Sequence, residues 1–180
     1  MRYSAAILAV MLVITGCTGD DTTPGTSDSP DSGDTTVPPP LAMGLVVRLK
    51  AGVGSGHLTG IEVEEILIQN AIDPFAGDPS RSERGRPLTD TERSEIDRLA
   101  ADVGPVRWIE DAAAERSQDP PTTRLVPVVT IGEVTFDESG ALVSLSVWCG
   151  RGCGVWGTYR VQSVGPAQWV VTGVVAEILP

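Results

Sequence analysis

The sequence predicts an α+β fold in which a C-terminal four-stranded antiparallel meander packs with one or two helices. Three observations carry that expectation. From Leu125 onward, apolar and polar residues alternate in four runs separated by turn residues, the pattern of consecutive antiparallel strands. Residues 89–103 join a helix-start signal to an apolar stripe at helical spacing. Residues 41–180 supply about 140 residues, which suits one domain with one core.

The first elements in chain order are not part of that domain. Met1-Arg2-Tyr3-Ser4 carries one positive charge, Ala5 to Ile14 are ten consecutive apolar residues, and Thr15-Gly16-Cys17 follow. This is the layout of a secretory signal peptide, shorter than the ~20 residues a spanning helix needs. Ile14-Thr15-Gly16-Cys17 resembles the lipobox of bacterial lipoproteins. That resemblance implies that residues 1–16 are removed and that the Cys17 thiol carries diacyl lipid of the palmitate kind. The folded part would then sit at the extracytoplasmic face of the cell membrane. Each buried methylene contributes ~0.8 kcal/mol, so one acyl chain holds only marginally and stable anchoring takes two signals.

Residues 17–40 read as a linker. Between Thr18 and Pro40 lie five Asp, nine Ser or Thr, no Lys or Arg, and a single aliphatic residue, Val37. Such a segment cannot bury enough apolar surface to offset the entropy of ordering it. Pro38-Pro39-Pro40 is expected to stiffen its end.

Charge narrows the partners. The whole chain carries −11, and residues 41–180 hold 19 acids against 12 bases. A phosphate backbone repels that surface, which argues against nucleic acid. The membrane is met through the lipid anchor, and no cofactor is implied. The expected partner is an envelope protein or a glycan.

Within residues 41–180, Leu41, Leu45, Val46 and Leu49 predict a short helix over 41–50 that ends at the glycines of 52–56. No Lys-Ser/Thr follows those glycines, so they read as a connector and not a phosphate loop. Residues 61–69 favour a strand with a local irregularity, a helix being the alternative, and 73–87 read as a long exposed loop. Thr89 with Glu92 makes a capping box. Ile96, Leu99, Ala100 and Val103 form the stripe of that helix, with Arg93–Asp97 and Arg98–Asp102 as four-apart ion pairs on its wet side. Val106–Ile109 predicts a short strand and 110–123 another exposed connection.

The meander is expected as strands near 125–136, 141–149, 153–162 and 168–178. Turns at 137–140, 150–152 and 164–166 separate them. A three-residue loop at 150–152 opposes Cys149 with Cys153, Val147 with Val155, Leu145 with Gly157 and Val143 with Tyr159. A turn at 137–140 opposes Val134 with Val143 and Phe136 with Ala141. One face then collects valine and leucine, while the other holds Trp148, Trp156, Ser144, Ser146, Thr158 and Arg160. Opposed cysteines in an oxidising compartment point to a Cys149–Cys153 disulfide, with redox-active thiols as the alternative. A metal site is disfavoured because the single histidine, His57, lies far off in the Gly-rich stretch.

The run Trp148-Cys149-Gly150-Arg151-Gly152-Cys153-Gly154, then Gly157-Thr158-Tyr159 and Gln168-Trp169-Val170-Val171, resembles the ending of uncharacterised exported bacterial proteins. Those carry a Cys-Gly hairpin and a late Trp-x-Val, here with one more residue between the cysteines. The resemblance implies a fold and no activity. Two functions remain to be weighed. One is a non-enzymatic binding module whose candidate ligand face is Trp148, Trp156 and Arg160, unless the 89–103 helix covers that face. The other is an extracytoplasmic hydrolase using Glu110-Asp111 or Asp137-Glu138, for which no catalytic residue stands out.

Overall fold

The computed structural model describes residues 37–51, 62–117, 125–165 and 168–179. The chain divides into Met1–Gly33 and Asp34–Pro180. The leader, Cys17, most of the linker, the 52–56 connector, His57 and the Pro166 turn lie outside the described residues.

The fold is α+β with one six-stranded mixed sheet and three helices among the described residues. In chain order these are α1 (Pro39–Ala51), β1 (Ile66–Ile72), α2 (Asp90–Ala100), β2 (Val106–Ile109), α3 (Ala112–Arg116), β3 (Val128–Asp137), β4 (Gly140–Gly150), β5 (Cys153–Gly165) and β6 (Gln168–Ile178). The strand order is β2-β1-β3-β4-β5-β6. β3–β4, β4–β5 and β5–β6 are antiparallel pairs. The expected four-stranded sheet is thus corrected to six, because β1 and β2 add to its free side as parallel strands.

β1 is buried at six of its seven positions. A strand covered on both faces has no polar side to alternate, which explains why 61–69 showed no clean period. β2 is parallel to it, Ile68 opposing Trp108.

The helices explain the core. α1 begins at Pro39, not at residue 41, because proline's fixed φ suits the first helical turn. Val37 before it is already buried. Ala42, Met43, Val46 and Val47 pack on Val143, Leu145 and Val147 of β4 and on Val155, Tyr159 and Val161 of β5. α2 lies close against α1 at Gly44, where a Cβ would meet Leu99 Cδ1 at 2.5 Å and the Glu95 carbonyl at 3.1 Å. The capping box of α2 is present, with Glu92 N–H donating to Thr89 Oγ1 at 3.2 Å and Thr89 N–H to Glu92 Oε2 at 2.7 Å. Arg86 clamps Glu92 and Glu133 at 2.8 Å each, tying the start of α2 to β3.

The predicted ion pairs of α2 are re-partnered. Arg93 pairs with Asp90 and Arg98 with Glu95. Asp102, past the helix end, instead holds Arg48 of α1 at 2.5 Å. Three-apart partners lie on the same helix face as four-apart ones, so the sequence pattern alone does not choose between them.

Candidate functional site

α1 and α2 lie on the valine face of the sheet, so the tryptophan face is the one available for function. Val147 opposes Val155, Leu145 opposes Gly157 and Val143 opposes Tyr159, as the alternation requires. Val134 opposes Val143 and Phe136 opposes Ala141. The register departs at the hairpin end, where Gly150 and not Cys149 opposes Cys153. A bulge at Cys149 shortens the expected three-residue loop to Arg151-Gly152, with Gly150 at φ 124° and Gly152 at φ 69°. Cys149 and Cys153 remain at disulfide distance, their Cα atoms 5.1 Å apart.

The second face is roofed in part by elements read from sequence as exposed connections. The first half of 73–87 folds back over the sheet, and Asp73 and Ala76 are buried. Asp73 explains why: its carboxylate accepts from Phe75 N–H at 2.9 Å, Glu83 N–H at 3.0 Å and Ser82 Oγ at 2.7 Å. Gly77 N–H donates to the buried Ser146 Oγ at 2.9 Å. Within 110–123, Asp111 caps α3 by accepting from Ala113 N–H at 2.8 Å. Gln69, buried in β1, accepts from Ala112 N–H at 3.2 Å. Ala112 packs with Leu67, Ile109 and Val128, and Trp148 lies against that cluster. Asp followed by alanines is a helix-start signal that the sequence reading passed over.

The covering is therefore not the 89–103 helix, which packs on the opposite face with α1. Trp148 and Trp156 both stay partly exposed. The Trp156 indole lies over Gly154, the residue opposite Trp148. Beside them, Ser144 and Thr158 share a hydrogen bond of 2.7 Å. Arg160 donates to Asp137 Oδ2 at 2.6 Å, and its Nε has no partner among the described residues. Ile178 of β6 opposes Trp156 and is exposed, extending the apolar strip to the sheet edge.

Three of the four acids considered for catalysis, Glu110, Asp111 and Asp137, hold neighbouring groups, and Glu138 is exposed in the β3–β4 turn. Glu110 pairs with Arg84 at 2.6 Å, and bonds from Arg84 and Asn70 hold its carboxyl below the usual range. Asp137 is held low first by Arg160 and then by the Ser139 amide. Wherever a described carboxyl has a displaced pKa, hydrogen bonds and nearby cations hold it below the usual range. Among the described residues no group of three His, Cys, Asp or Glu could hold a metal ion, and no helix is long and apolar enough to cross a membrane.

No family model, curated protein or solved structure matches the chain.

Proposed function

We propose that the chain is a lipid-tethered extracytoplasmic lipoprotein whose domain is a non-enzymatic binding module. The tether is the Cys17 acyl group, and the acidic Ser/Thr/Pro segment is the spacer that carries the domain clear of the headgroups. One observation carries the binding reading: both long helices lie on one face of the sheet, leaving Trp148 and Trp156 partly exposed on the other beside Ser144, Thr158 and Arg160. Indoles among hydroxyls and a guanidinium suit a sugar ring or a partner surface, because each indole supplies an apolar plate and a polar edge. The ligand class is an envelope glycan or an envelope protein.

Two measurements test the two halves. Cys17→Ser should move the protein from the membrane fraction to the soluble extracytoplasmic fraction, and full membrane retention would refute the tether. Titration with envelope glycan fragments or envelope extract should change tryptophan emission. The change should shrink in Trp148→Ala and Trp156→Ala. An unchanged response in both variants would remove that face from consideration.

A further inference from the structure

The two edges of the sheet are guarded very differently. β2 is four residues long, follows Pro105, and carries Arg107 paired with Glu65 at 3.0 Å. These are the devices that keep an edge from pairing with another chain. β6 is eleven residues long, lies along β5, and has no strand on its outer side among the described residues. It contains no Lys, Arg or Pro, and its one charge, Glu177, is turned back to Lys50 at 2.6 Å and Tyr159 at 2.7 Å. Val170, Val174, Val175 and Ile178 are exposed. Its pairing with β5 shifts register at three points, the one guarding device it shares with protected edges.

We propose that β6 is a self-association edge, on which a second copy of this chain pairs its own β6 antiparallel across a two-fold axis. The occupant follows from sequence symmetry and charge. Val170-Val171-Thr172-Gly173-Val174-Val175 is nearly palindromic, so pairing centred between Thr172 and Gly173 sets Val171 against the second copy's Val174 and Val170 against its Val175. Val171 and Val174 both belong to the helix-packed face, opposing Val161 and Tyr159 of β5, so the two copies join with like faces together. The result is one sheet of twelve strands built from two of six. Residues 41–180 hold 19 acids against 12 bases, so two copies repel over most approaches and meet where the surface is electrically silent. The edge adjoins the tryptophan face at Ile178, which opposes Trp156, but edge pairing does not require that face to bind anything.

The test uses the full chain in mild detergent, with sedimentation over a wide concentration range. The unaltered chain should show a concentration-dependent dimer. Val175→Lys places a cation at an exposed residue that has no partner on β5, and Gly173→Lys adds a side chain where a Cβ meets nothing within 4 Å. Each should weaken the dimer at least about tenfold while the circular dichroism of the monomer stays unchanged. Mixing Val175→Lys with Val170→Glu should restore dimer, since the two-fold register brings those positions together. A chain that stays monomeric throughout, or a dimer indifferent to both lysines, overturns the proposal. A mixture that does not recover overturns the register.

Discussion

Removing the Glu177 carboxylate should unfasten the last strand from the first helix. Tyr159 is fully buried and its hydroxyl donates to Glu177 Oε1 at 2.7 Å. Lys50 donates to the same oxygen at 2.6 Å and lies 4.6 Å from the centre of the Tyr159 ring. A hydrogen bond to a charged group contributes about 1.5–3 kcal/mol, and a buried hydroxyl left unpaired costs about 1–3 kcal/mol. The Lys50 and Glu177 side chains are 15% and 25% exposed, so solvent screens their attraction to about 1 kcal/mol or less. Glu177→Ala should therefore destabilise the domain by about 2–3 kcal/mol. Tyr159→Phe deletes the donor that needs the carboxylate, so in that background the same change should cost only the lysine contact, about 1 kcal/mol or less. Urea denaturation of the four members of this cycle should give a coupling of about 1–2 kcal/mol. Additivity within about 0.5 kcal/mol would refute the idea that hydroxyl and carboxylate act as a pair.

Thr89→Ala should cost about 1 kcal/mol and speed amide exchange in the first turn of α2, with Thr89→Ser recovering most of the loss. Reducing Cys149–Cys153 should cost about 2 kcal/mol, because the ring it closes is only five residues. A loss above twice that in denaturant melts would show that the bond does more than pin the hairpin. Acid should destabilise the fold. Burial pushes the Glu177 and Glu92 carboxyls up, but bonds from Lys50 and Tyr159, and from Arg86 and Thr89, outweigh it and hold both below the usual range. A group lowered in the folded state contributes stability above its unfolded pKa and loses it as pH falls through the folded value. Melts should thus be flat from neutrality to about pH 5 and decline below about pH 4.

What the sequence revealed was local. The 137–140 turn, the valine register of the β4–β5 hairpin and the Thr89–Glu92 box each depend on residues a few positions apart, where side-chain period and turn chemistry speak directly. The parallel pairing of β1 with β2 and β3 joins distant segments, and Ile66 and Leu67 are buried on opposite faces, so no alternation announced it. The candidate site was half legible. Trp148, Trp156, Ser144 and Thr158 do share a face, but the roof over part of it depends on the turn built by Asp73 and the cap formed by Asp111. Both are acids in polar loops, and composition alone gives such loops to solvent.

The burial of Val37 has a geometric consequence. It shares a cleft with Phe136, Ala141 and Trp169, so the polypeptide enters the domain beside the β3–β4 turn. From that turn β4 runs ten steps to Gly150, which at ~3.3 Å per residue places the cysteine-closed tip roughly 30 Å away. The Val37 cleft and the Cys149–Cys153 loop thus stand at opposite ends of β4.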